Sequence, residues 1–279
     1  EDILLDDGSI FQWHFVNPLA ALTFFAKQCQ GFADAIAQSW QQQGSATQAW
    51  HIIWYVDECA PGNLLRVDPT RKCHCMYWSF RELGPLLLAR DDVWAFYGVI
   101  RTNIVKRVPG GMSSIFKLVL RRFFCGVHSF GSGVVIDMGP DKESLLLRAV
   151  FDALIGDDSA LAQILCAKGA GGMKPCFYCA NVTLSRLHVA EFSRRHVDIQ
   201  CSDVTKFLQH TDESWWRTAD ALAATAATHT KKELATHEIR SGMSYNEHGV
   251  VHDMGLRRHF SPVSGVMLDF AHGYLNHGV

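Results

Sequence analysis

The chain has 279 residues, of which 48% are hydrophobic and 19% charged, with a formal net charge of -2. That length fits one large domain or two small ones, and the composition can bury a substantial core. A near-neutral balance excludes a strongly basic nucleic-acid footprint over the whole chain. No run of about eighteen apolar residues is free of charge, so no membrane span is expected.

Nine cysteines are spread thinly along the chain. They do not read as a secreted disulfide framework and point to a reducing compartment. The opening "EDILLDDGSI" shows no basic stretch running into an apolar one. It lacks an initiator Met, and the ending "LNHGV" has no polar tail. The chain therefore reads as a fragment of a longer one.

In chain order, residues 17–43 predict a helix, with Pro18 in the first turn and Leu19, Leu22, Phe25, Cys29 and Phe32 three or four apart. "HIIWYVDE" (51–58) is a β-branched and aromatic run that suits a buried strand. "APGN" (60–63) is turn chemistry, and "CHCMYWSF" (73–80) predicts a second strand. Beyond Pro85, helices are expected at roughly 90–106 and 112–125, split by "VPGGM". Residues 132–151 predict a hairpin turning at Gly139 to Lys142. An apolar run then closes at Asp157 and passes into a helix capped by Asp157, Asp158 and Ser159. From 184 to 240 the chain is polar and Ala-rich, which predicts a helical insertion. The last stretch is rich in histidine. The expected organisation is a helical extension over 1–50, a core over 51–182, a helical insertion over 183–245 and a C-terminal core segment over 246–279.

Carboxylates close two of these strands: Asp57 with Glu58, and Asp157 with Asp158. Neighbouring strands lie ~4.8 Å apart, so acids at adjacent strand ends can share divalent ions. Mg²⁺ or Mn²⁺ suits such oxygen ligands and phosphoryl transfer. Acids also follow strands simply because turns are polar. Alternate strand residues face opposite ways, so Glu58 or Asp158 stand as substitutes for their neighbours until the register is known.

Cys176-x-x-Cys179 has three readings: half of a tetrahedral Zn²⁺ site, a redox pair, or buried thiols. Two imidazoles could complete a zinc site, from His272 and His277 or from His248 and His252. Cys73-x-Cys75 puts two thiols on one face of a strand, and reads as core or pairing surface. "GAGGMK" lacks the ending of a phosphate loop. Asp269-x-x-His272 sets a carboxylate and an imidazole one helical turn apart.

Taken together, Asp57, Asp157, the CxxC and the late DxxH resemble the cut-and-paste DDE transposases of eukaryotic DNA transposons. The pair Cys176/Cys179 with His272/His277 is similar to the zinc site of the V(D)J recombinase catalytic subunit and its transposon relatives. "WYVDECAPGN", "RKCHCMYWSF" and "AKGAGGMKPCFYC" look like a repetitive, transposon-derived family of protist genomes. The resemblance spans roughly 50–182 and 265–279. It implies an α/β, ribonuclease-H-like mixed sheet flanked by helices. It also implies Mg²⁺ or Mn²⁺ at Asp57 and Asp157, zinc at Cys176, Cys179, His272 and His277, a DNA partner, a homo-oligomer and a nuclear location. One departure stands out: the family's third acid is usually a Glu on a later helix, and no Glu follows Asp269. The expected function is thus metal-dependent phosphoryl transfer on DNA, in an active or an inactive copy. The alternative is a non-catalytic, zinc-stabilised nucleic-acid or protein binding module.

Overall fold

The computed structural model describes residues 1–43, 48–62, 68–140, 142–184 and 196–269. The fold is mixed α and β, with a five-stranded mixed sheet and, among the described residues, eight α-helices. The described residues divide into two compact units: those within 1–109, 118–157 and 267–269, and those within 110–117 and 158–266.

The first unit is built on strands β1 (Trp50–Cys59), β2 (Cys73–Phe80), β3 (Ala95–Arg101), β4 (Ala149–Gly156) and β5 (Val266–Leu268). Their order across the sheet is β3-β2-β1-β4-β5. β1 pairs antiparallel with β2 and parallel with β4, and β2 pairs antiparallel with β3. The strand at 95–101 corrects the helix expected over roughly 90–106. "AFYGVIR" alternates buried and exposed residues along an edge strand, and β-branched and aromatic side chains fit that pleat better than a helix.

Helices α1 (Pro18–Gln28) and α2 (Gln30–Gln43) replace the single helix expected over 17–43, because Cys29 is extended at φ -125°. Asn17 caps α1 by accepting hydrogen bonds from the backbone N–H groups of Leu19 and Ala20. The short helices α3 (Gly84–Leu88) and α4 (Thr102–Val105) flank β3 in the chain. The expected hairpin forms between Val134–Ile136 and Leu145–Leu147.

One face of the sheet carries Trp54, Val56, Met76 and Trp78, all buried. It packs on Phe123, from the C-terminal half of α5 (Gly111–Phe124). The Phe123 ring lies 4.5 Å from Trp54, 5.2 Å from Trp78, 5.6 Å from Tyr97 and 5.5 Å from Phe130. Tilted and edge contacts at such spacings add to the burial term. The opposite face is less covered: Tyr55, Asp57, Cys59, Cys75 and Tyr77 are all part-exposed.

The second unit holds α6 (Asp158–Leu165), α7 (Asp212–Thr228) and α8 (Lys231–Ser241). Of the helical expectation over 184–240, residues 185–195 lie outside the described residues, and the helical part is α7 and α8, each opened by a capping box: Thr211 with Ser214, and Thr230 with Glu233. Gly242, at φ 77°, ends α8 in the left-handed conformation that glycine adopts without steric cost. Between 196 and 210 the backbone is extended or in short turns instead. Phe260 packs against Phe116 and Trp216, and Arg257 stacks on Trp216 while bonding Asp220. Among the described residues, no helix is long and apolar enough to cross a membrane.

Candidate functional site

The less covered face of the sheet gathers the reactive side chains of the first unit. Along β1 the residues on that face are Ile53, Tyr55, Asp57 and Cys59, by strand alternation. In β4, Asp152 is an extra residue: Ile52 pairs with Phe151, but Ile53 pairs with Ala153. This bulge resets the alternation. Tyr55 then pairs with Ile155 and Val56 with Gly156. Asp57 lies one step on in β1, and Asp157 directly follows β4, one residue past the last register pair; both charges act on Tyr55 and on His74.

Asp269 joins them from the end of β5. Its backbone N–H donates to the Gly156 carbonyl at 2.9 Å, and the Tyr55 hydroxyl donates to its Oδ2 at 2.7 Å. Burial raises the Tyr55 phenol above its ordinary pKa, followed by the bond to Asp269 and then the charges of Asp57, Asp269 and Asp157. All three carboxylates therefore act on one hydroxyl. They do not close into a trio of ligand atoms within 4.8 Å of one another. Beside them, Tyr55, Tyr77, Asp91 and Trp94 line a cavity of about 480 Å³.

Glu58 faces the other way. It accepts hydrogen bonds from Lys72 Nζ at 2.6 Å and Thr102 Oγ1 at 2.8 Å. His74, its register partner, is 1% exposed, with Nε2 3.9 Å from Glu58 Oε1. Burial lowers the His74 pKa, against the pull of Glu58, Asp157 and Asp57. Asp158 opens α6 in the second unit. Strand alternation therefore puts Asp57 and Glu58 on opposite faces of β1, and Asp157, just past β4, acts on groups of both: His74 and Lys72 on one, Tyr55 on the face of Asp57.

The same face carries a thiol cluster that the strand-by-strand sequence reading missed. Cys59 Sγ lies 3.4 Å from Cys73 Sγ and 3.4 Å from Cys75 Sγ. Among the described residues, this is the one group of three or more His, Cys, Asp or Glu ligand atoms within 4.8 Å of one another. Burial, then the Cys59 thiol, pushes Cys75 up to about 12, and burial raises Cys73. The available signal was the hairpin itself: pairing 51–58 with 73–80 across the "APGN" turn brings Cys59 to Cys73.

In the second unit, Cys176 and Cys179 are both part-exposed and free of disulfide. Burial, then a hydrogen bond with Cys176, pushes Cys179 up to about 12. His272 and His277, the proposed completing ligands, lie outside the described residues. His248 is exposed and His252 part-buried, and neither joins a metal-binding trio among the described residues.

No model of a known protein family matches the chain, and no curated protein is significantly similar to it.

Proposed function

We propose that the first unit is the ribonuclease-H-like core of a DDE-type transposase or nuclease-like protein, carrying out metal-dependent phosphoryl transfer on DNA. The observation that carries this reading is that Asp57, two residues before the end of β1, and Asp157 and Asp269, which directly follow β4 and β5, all act on the Tyr55 hydroxyl from three neighbouring strands. The strand order supports it too. An antiparallel meander, continued by a parallel strand on the far side of its first strand, is the order expected for such a core.

The donor set is all carboxylate oxygen, which fits Mg²⁺ or Mn²⁺. When bound, such ions activate the attacking hydroxyl and stabilise the leaving oxygen. The chain's own part is positional. Adjacent strands hold Asp57 and Asp157, and the Tyr55 hydroxyl holds Asp269. Asp269 thereby takes the place of the Glu that the resemblance expects later in the chain. DNA as substrate, self-association and a nuclear location belong to this reading as proposals.

A second reading, a non-catalytic binding module, is favoured by one observation: the carboxylates are not drawn together within 4.8 Å. The two separate in a nicking assay with supercoiled plasmid, in Mg²⁺ and in Mn²⁺. The catalytic reading expects metal-dependent nicking that Asp57→Asn and Asp157→Asn abolish. Absence of nicking in both metals, or nicking that survives both substitutions, would favour the module.

A further inference from the structure

We propose that Cys59, Cys73 and Cys75 form a zinc site of three thiolates with one exchangeable position. It goes beyond the phosphoryl-transfer reading and does not depend on it.

The constellation is set by the sheet, not by a loop. Cys59 pairs with Cys73 across β1 and β2, and Cys75 lies two residues further along β2, opposite Asp57. Alternate residues share a face, so all three sulfurs emerge on the same side. The two distances of 3.4 Å from Cys59 Sγ are close to the ~3.8 Å that sulfurs span when each sits ~2.3 Å from a tetrahedral zinc ion. They are well beyond the ~2.05 Å of a disulfide bond. Small rotations of three side chains would complete the site.

The donor chemistry narrows the ion. Three sulfurs with no nitrogen are soft ligands, unsuited to Mg²⁺ or Ca²⁺ and suited to zinc. Tyr77 lies two residues along β2 from Cys75 and so on the same face, where its hydroxyl is the kind of polar neighbour that can orient a metal ligand. Arg101, the register partner of Cys73, offers a positive charge beside a site whose three thiolates outweigh the ion by one unit. Cys59 and Cys75 are part-exposed, so water can reach the fourth position. Such a site would lock the β1–β2 hairpin two residues from Asp57.

Two measurements test this on the full chain. In the first, reduced protein is alkylated with and without saturating Zn²⁺, and each cysteine is mapped by mass spectrometry. Cys59, Cys73 and Cys75 should react about tenfold more slowly or less with zinc bound, since alkylation needs a free thiolate. Cys29 and Cys125, both exposed, should react equally in both samples. This needs no variant and so no assumption about folding. In the second, protein carrying Cys176→Ser and Cys179→Ser should retain about one zinc per chain by elemental analysis. Adding Cys59→Ser and Cys75→Ser should remove it. Unchanged alkylation of the trio in zinc, or zinc content indifferent to Cys59 and Cys75, would overturn the proposal. So would a Cys59–Cys73 disulfide recovered from protein kept under reductant.

Discussion

Replacing Tyr55 with Phe removes one hydroxyl and leaves the ring in place. The lost contact is a 2.7 Å hydrogen bond to the Asp269 carboxylate, spanning 214 residues of sequence. Hydrogen bonds to charged groups contribute about 1.5–3 kcal/mol net. Tyr55 is only part-buried, so water can partly replace it at Asp269, and the lower end, about 1.5 kcal/mol, is expected. Urea unfolding at pH 7 should show this as a lower midpoint with an unchanged slope. A double-mutant cycle with Asp269→Ala should give a coupling energy of about 1–2 kcal/mol. The pH dependence has a definite sign. The folded pKa of Tyr55 is raised above its ordinary value of 10.0, so the protonated phenol is favoured by folding. Its contribution is fully present below about pH 10 and is lost as pH rises beyond that. A coupling energy under about 0.5 kcal/mol would refute the claim that Tyr55 anchors Asp269.

Phe123→Ala should cost about 3–5 kcal/mol, since it empties a fully buried site between Trp54, Trp78, Tyr97 and Phe130; calorimetry on the variant reads it directly. Burial, then the Lys174 charge, lowers His210 from 6.5 to about 4, so the folded state resists its protonation. Stability from this group should be full above pH 6.5 and fall by about 2–3 kcal/mol as pH drops to 4, and urea midpoints of His210→Gln should show a correspondingly weaker loss over that window. Glu58→Gln should weaken the contact with Lys72 yet leave Mn²⁺ affinity unchanged, because Glu58 lies on the opposite face from Asp57; isothermal titration checks it.

The strands β1 and β2 were legible to within a residue, because "HIIWYVDE" and "CHCMYWSF" concentrate residues that pack well on a pleated surface. The strand at 95–101 was not. Between Pro85 and "VPGGM" its apolar residues fit a helix as well as a strand, and only pairing with β2 distinguishes the two. The break at Cys29 carries neither Gly nor Pro, so the helical spacing runs through it. Asp57 and Asp157 were visible as acids closing strands. That the end of β4 comes level with Val56, next to Asp57, depends on the bulge at Asp152, a matter of tertiary pairing that no local spacing encodes. The bond from Tyr55 to Asp269 is invisible for the same reason. The thiol cluster is only partly encoded in local spacing: strand alternation puts Cys73 and Cys75 on one face, and the hairpin pairing then brings Cys59 to them.

The central claim is that carboxylates at adjacent strand ends hold divalent metal. Mn²⁺ titration followed by electron paramagnetic resonance tests it without requiring a DNA substrate. The full chain should bind Mn²⁺, and Asp57→Asn, Asp157→Asn and Asp269→Asn should each weaken binding about tenfold or more, some 1.4 kcal/mol, while the protein stays folded by circular dichroism. Affinity that is unchanged in all three folded variants would contradict the account.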